Sequence, residues 1–402
     1  MRVLVLGAGG VGSAVAGILA KRRSVPEVVF ADYDLARAQR AADIFGAGAT
    51  AIAIDASSES DIVAAIAAHR IDLVLNAVDP RFVMPIFRAC LAAQVHYMDM
   101  AMSLSTAHPT EPFTTPGVML GDEQFALADA YAATGKMALV GMGVEPGMSD
   151  VFARYAADEL FSEIHEAGVR DGSNLTVDGY DFAPSFSIWT VIEECLNPPL
   201  IFEKGRGWFT TPAFSEPEEF TFPGGIGPVT CVNVEHEEVA LIPRYLDVQR
   251  ATFKFGLGDD FINVLTTIKQ LGLDRTEKVN VGGVQVSPRD VLAACLPDPA
   301  AIGHLMHGAT CAGLWVTGLG KDGQPREVYL YQVVDNDWTM ENYGAQAVVW
   351  QTAIHPVIAI ELIRDGIWNT PGVVGPEALA PTPFLDLLAA SDAPWGMEER
   401  RA

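Results

Sequence analysis

Residues 3–12 read VLVLGAGGVG, and no other stretch restricts the fold as much. Four apolar residues run straight into Gly7-Ala8-Gly9-Gly10-Val11-Gly12, and an alanine-rich segment of helical character, GSAVAGILAKR, follows. Strand, G-x-G-x-x-G turn and helix in that order form the context in which this motif cradles a dinucleotide. Gly7 permits the tight turn, Gly9 lets a pyrophosphate approach the backbone, and Gly12 lets the helix pack closely on the strand. Gly10 and Val11 complete the turn, where the helix N-terminus offers free N–H groups to phosphate. Asp32 ends the next apolar stretch, twenty residues after Gly12. A carboxylate there accepts hydrogen bonds from the ribose hydroxyls and repels a 2′-phosphate, which favours NAD. Arg37 and Arg40 stand close enough to leave NADP possible.

The strand–helix alternation continues through EVVFADYD, ATAIAID, DLVLNAV and HYMDMA, with helical segments between them. This is the pattern of an α/β fold, a Rossmann-type doubly wound parallel sheet. Ligands in such sheets sit outside the carboxyl ends of the strands, which places Asn76, Ala77 and Asp99 toward the nicotinamide half. Residues 103–121, rich in proline and glycine, break the pattern as a long loop of the kind that forms functional lids. From about residue 150 β-rich stretches such as GPVTCVNV, DVQRATFKF and VNVGGVQV dominate, so a second, α+β domain is expected over 150–342. The first domain spans 1–149, and the helical character of 343–402 suits its completion.

Composition narrows the function. A formal charge of −25 argues against nucleic-acid partners, which need a basic surface. No apolar run reaches the length of a membrane helix, and the N-terminus lacks the features of a signal peptide. Five cysteines without a C-x-x-C pair read as reduced thiols of a cytoplasmic protein.

At GMGVEPGMSD (141–150) the sequence resembles the saccharopine dehydrogenase family, with a glycine–acid–proline–glycine turn at Gly143-Val144-Glu145-Pro146-Gly147. The likeness runs on through SEIHEAGVRDG, HEEV (236–239), CLPDPAAIG (295–303) and YGAQAVVWQT (343–352), and is strongest to the carboxynorspermidine dehydrogenase branch. Asp32 with Asp34 resembles instead the cofactor strand of lysine 6-dehydrogenases. The resemblance implies an inserted substrate domain that also forms a homodimer interface. It implies hydride transfer at a carbon–nitrogen bond, either reducing an imine or oxidising a secondary amine of an amino-acid or polyamine derivative. A primary-amine dehydrogenase and an NAD-binding regulator without turnover are the alternatives.

Such chemistry needs a proton donor or acceptor at the nitrogen. The candidates are Asp99, between methionines at a strand end, with a structural partner for a backbone turn as the competing reading; Glu145, in the family turn, with a structural role equally open; and His236, in CVNVEHEEVALIP. Strand alternation would put His236 on the valine face, where a buried structural histidine is the competing reading. In SIWTVIEECLNPP (187–199), helical spacing stacks Trp189 and Glu193 into a site for a substrate ammonium. A substrate carboxylate would call for an arginine, with Arg170, Arg206 and Arg244 as candidates. His304 and His307 have metal-ligand spacing without a third ligand nearby, so no metal is expected.

Overall fold

A computed structural model describes residues 1–400 apart from Phe186 and Ala300. Ala300 of the CLPDPAAIG motif, and Arg401 and Ala402 of the 343–402 segment, therefore lie outside the described residues. Strands β1 (Val3–Leu6), β2 (Val28–Asp32), β3 (Ala49–Ala53), β4 (Leu73–Asn76), β5 (His96–Asp99) and β6 (Met137–Leu139) form a parallel sheet in the order 3-2-1-4-5-6. Its core strands are short apolar runs, fully buried in β1, β2 and β4, as a sheet covered on both faces requires. Helices α1 (Gly10–Arg22), α2 (Leu35–Phe45), α3 (Glu59–His69) and α4 (Val83–Ala93) make the crossovers. Strand register sets Leu6 beside Asn76 and Asn76 beside Asp99, so the carboxyl ends of β1, β4 and β5 are level. The anticipated helix near residues 121–135 is two short ones, Asp122–Phe125 and Ala128–Ala133.

A nine-stranded mixed sheet forms the second layer system. At its centre β7 (Phe161–Ser173) pairs in parallel with Val248–Gly256 and antiparallel with Ala309–Gly320. The stretch read as alternating around His236 is not strand: the strand ends at Asn233, and a helix starts at Glu238. Every residue from Cys231 to Ile242 is buried, so alternation carried no information about which face met solvent.

The C-terminal segment is shared between the sheets. Helix Ala347–Arg364 packs on α1, and strand Gly372–Val374 extends the parallel sheet beyond β6. The tail Trp395–Arg400 pairs instead with Pro325–Asp335 in the second sheet. Helix Ala347–Arg364 is long and apolar enough to cross a membrane by composition, yet 89% of it is buried inside the protein. Apolar on all sides, it is a core helix. Glu361 fixes it to the dinucleotide half: Arg22 donates to both of its carboxylate oxygens, at 2.8 and 2.7 Å, and Ser24 Oγ donates at 2.5 Å. We expect Glu361→Ala to lower stability by about 2–3 kcal/mol, below the ~3–5 of a fully buried pair because water reaches Arg22. Urea unfolding monitored by tryptophan fluorescence measures the loss.

Candidate active site

The glycine turn has the sterics of a dinucleotide site. Gly7 has φ +103°, and a Cβ there would lie 2.4 Å from the Ala77 carbonyl oxygen. A Cβ on Gly12 would meet the Gly7 carbonyl oxygen at 1.9 Å. Gly9, by contrast, faces open space, and it starts α1 without a side-chain cap, leaving the first helical N–H groups free for an anion. Gly10 and Val11 form that first turn. These residues fit a bound pyrophosphate.

Asp32 has a second role that spacing alone did not reveal. Its carboxylate is buried and accepts from the Ala8 N–H at 2.9 Å and the Asp34 N–H at 3.0 Å, so it holds the glycine turn together. Asn76 is also engaged: its amide donates to Tyr97 Oη at 3.1 Å, and its oxygen accepts from the Val78 N–H at 3.1 Å. It shapes the loop that brings Ala77 against Gly7.

Asp99 is enclosed by hydrogen-bond donors. It is 1% exposed and accepts from Tyr97 Oη at 2.8 Å, Gln124 Nε2 at 2.7 Å and the Gly141 N–H at 2.7 Å. Burial raises it to about 7 against those three bonds. It braces the end of β5 against the turn after β6.

A cleft of about 240 Å³ opens beyond the ends of β4 and β5. Asp79 and Arg81, just after β4, and Met102 and Leu104, after β5, line one side. Leu120 brings the far end of the 103–121 loop into the lining, and helix Ile188–Leu196 contributes Trp189, Glu193 and Glu194. Glu235 and Glu237 form the floor.

Behind that floor lies a buried acid cluster. His236 Nδ1 is 2.6 Å from Glu238 Oε2 and 3.4 Å from Glu237 Oε2, and the ring stacks on Phe253 at 3.8 Å. Glu237 Oε1 accepts from the Met102 N–H at 3.1 Å, and Glu238 Oε1 accepts from Ser149 Oγ at 2.8 Å. Asp171 Oδ1 and Glu145 Oε2 are buried without a hydrogen-bond partner among the described residues. Burial raises Glu194 and Glu235 to about 7, and pushes Glu145 and Asp171 well above the usual carboxylate range, with His236 opposing at Glu194, Glu145 and Asp171. Burial resists protonation of His236, but Glu238, then Glu237 and Glu194, override it and lift the imidazole well above its ordinary value. His236, Glu237 and Glu238 offer ligand atoms within 4.8 Å of one another, although each already has a partner. His307 pairs on the surface with Asp337 at 2.9 Å.

Trp189 and Glu193 do line the cleft, but this protein's own cations take the contacts expected of a substrate ammonium. The guanidinium carbons of Arg81 and Arg289 lie 4.5 and 4.7 Å from the centre of the Trp189 ring, and Arg289 is ion-paired with Glu193. None of the three anticipated arginines lines the cleft. Arg170 is buried on Glu218 at 2.5 Å, Arg206 lies over Phe209 at 3.3 Å, and Arg244 pairs with Asp122 at 3.1 Å. The residues missed from the sequence are Arg81, Arg289, Asp171, Glu194, Glu235, Glu237 and Glu238. The last three adjoin His236 in the EHEE run, a string of acids that becomes informative once its burial is known.

Two family models cover the chain: the saccharopine dehydrogenase NADP binding domain over residues 3–139, and the saccharopine dehydrogenase C-terminal domain over 143–392. Carboxynorspermidine synthase of Vibrio cholerae is 30% identical over 410 residues, spanning 99% of this chain and 97% of that protein. Carboxyaminopropylagmatine dehydrogenase of Synechocystis sp. is 30% identical over 398 residues, spanning 98% and 96%. Saccharopine dehydrogenase (L-Glu forming) from Saccharomyces cerevisiae shares the fold, with a TM-score of 0.71 at 15% identity and 100% coverage of both chains.

The buried acids set a pH dependence. Asp99, Glu194, Glu235 and Glu377 are each raised to about 7, so the folded chain binds protons that an unfolded carboxylate releases near pH 4. Their stabilisation is therefore lost as pH rises from about 4 through 7, and the loss continues above 7 through Glu145, Asp150 and Asp171, which burial raises further. His236, raised above 6.5, has the same sign, because its stabilisation is lost as pH climbs through its folded value. His96 and His355, both lowered by burial, act oppositely but only below about 6.5. The melting temperature is expected to drop between pH 6.5 and 8.5 in scanning calorimetry; a flat or rising profile would contradict the buried cluster.

Proposed function

We propose, for a chain that belongs to the saccharopine dehydrogenase family and is an NAD(P)-dependent oxidoreductase of carbon–nitrogen bonds, that the substrate is a carboxylated polyamine. It is oxidised at a secondary amine, or formed by reduction of the matching imine. The observation that carries this reading is a cleft lined by both signs of charge: Glu194, Glu235 and Glu237, and Arg81 just beyond the carboxyl end of β4. The names of two relatives with near-complete coverage, carboxynorspermidine synthase and carboxyaminopropylagmatine dehydrogenase, support it.

When bound, the nicotinamide supplies or accepts the hydride. The acids hold the ammonium groups of the polyamine, and an ammonium entering the cluster relieves the repulsion that burial imposes on them. Arg81, drawn toward Asp79 at 2.8 Å, offers its remaining N–H donors to the carboxylate. Met102, Leu104 and Leu120 provide an apolar wall for the methylene chain. We assign the dinucleotide half to residues 1–149 with the C-terminal return, and the substrate half to 150–342, a division that the two sheets support. Asp32, its carboxylate held beside the glycine turn, supports NAD as the preferred cofactor. Five free cysteines, four of them buried, support a reducing, cytoplasmic setting. A homodimer is supported by the hairpin valines Val281 and Val284, which stand 60% and 61% exposed.

Carboxynorspermidine and carboxyaminopropylagmatine, offered with NAD and with NADP, should reduce the cofactor, read at the nicotinamide absorbance. Turnover of neither, alongside turnover of saccharopine, would reject the substrate class, and ammonia release would favour a primary amine. Arg81→Leu should raise KM for the carboxylated substrate by roughly 10- to 100-fold, the loss of a charge-assisted hydrogen bond, with cofactor affinity unchanged. Asp32→Ser should shift the ratio of NAD to NADP affinity toward NADP and lower the melting temperature, since it also frees the Ala8 and Asp34 N–H groups. An unchanged ratio would leave Asp32 a purely structural role.

A further inference from the structure

Reduction of an imine adds a hydride to carbon and a proton to nitrogen, and the second needs a donor that touches the cleft. Three carboxyl groups form its acid side, and they differ in what stands behind them. Glu235 Oε2 accepts from Asn197 Nδ2 at 2.9 Å, which ties it to the end of helix Ile188–Leu196. Glu194 makes no hydrogen bond to a histidine among the described residues and feels His236 only through its charge. Glu237 alone among them has an oxygen in ion-pair reach of a ring nitrogen, 3.4 Å from His236 Nδ1. Its other oxygen is fixed by the Met102 N–H at 3.1 Å, on the loop that leaves β5 where ligands of this sheet type bind.

We propose that Glu237 is the catalytic acid–base group at the substrate nitrogen, and that His236 and Glu238 form the positioning pair that returns its proton. In the reductive direction the Glu237 carboxyl proton goes to the imine nitrogen, and the hydride of the reduced dinucleotide goes to carbon. The C=N double bond becomes CH–NH, the dinucleotide is oxidised, and Glu237 is left as a carboxylate. The Nδ1–H of the His236 imidazolium, shared between Glu237 and Glu238, then reprotonates Glu237, and the neutral ring regains a proton from water. In the oxidative direction each transfer reverses, with Glu237 taking the proton that masks the amine lone pair. Glu238, 2.6 Å from Nδ1 and held by Ser149 at 2.8 Å, fixes the tautomer, and the Phe253 ring fixes the plane. The charged groups facing this pair are Asp171 from β7, Glu145 from the family turn and Glu194 from the cleft, with Asp150 and Glu377 on the Glu238 side, while Asp99 and Glu235 face Glu237. All are acidic, so the surroundings favour a protonated ring.

This inference rests on the cleft being the substrate site, and the wild type is assayed first with carboxynorspermidine and carboxyaminopropylagmatine. If neither turns over, the site reading fails and the assignment of Glu237 falls with it. With a working substrate, Glu237→Gln should lower kcat by about 100-fold or more while the cofactor Kd, read by nicotinamide fluorescence, stays within twofold. Formate should partly restore a Glu237→Ala variant. His236→Gln should move the pH limb assigned to Glu237 upward, because the nearby positive charge that favours the carboxylate is gone. Turnover of Glu237→Gln within threefold of wild type, or a change in KM alone, would overturn the assignment while leaving the substrate reading intact. Should Glu237→Gln lose cofactor binding through misfolding, an unmoved pH profile in His236→Gln would overturn it as well.

Discussion

Carboxylates outnumber cations inside the junction of the two sheets. Glu145, Asp171, Glu194, Glu237 and Glu238 gather around the single imidazole of His236, with Asp150 and Glu377 fully buried nearby. Removing like charges from water without counter-ions is unfavourable by several kcal/mol per ion, so the cluster must hold protons, hold cations, or both. Much else follows from this constraint. Elements from both sheets converge there: the turn after β6, β7, helix Ile188–Leu196, and the EHEE junction. The glycine turn and the level strand ends of β1, β4 and β5 then set the cofactor side beside it.

Features determined locally were legible in the sequence. The glycine motif, the β-α alternation and the placement of Asp32 depend on residues a few positions apart, and their physics is sterics and periodicity. Trp189 and Glu193 were rightly drawn to a cleft by their helical spacing, but the contacts made there come from Arg81 and Arg289, each far away in the chain. Nothing in the local sequence marks Arg81 as a cleft residue. For Asp99 the sequence leaves a proton shuttle and a partner of a backbone turn equally open, because Gln124 and Gly141, which engage it, are brought in only by the fold. His236 was misread in its secondary structure because VNVEHE alternates as a strand does, while burial on every side removed the distinction that alternation encodes.

The same acids link stability to function. The proposed substrate ammonium, once bound, would offset the repulsion among these carboxylates, so that ligand affinity and folding stability would draw on one set of interactions. Residues arranged for chemistry commonly sit at the less stable end of a structure. Here the surrounding apolar packing, from Val234 and Val239 to Phe253, holds the acids in place against their mutual repulsion.

The chain passes between the two sheets more than once, and its last described strand, Trp395–Arg400, lies on the outer edge of the second sheet against Pro325–Asp335. That edge would otherwise present a row of unpaired backbone groups, a template for aberrant pairing with another chain. A cut after Ala390 would leave the parallel sheet with all of its strands and yet uncover this edge on the opposite half of the molecule. The tail thus acts as a selvedge: its removal would show first as self-association, with the dinucleotide fold still whole.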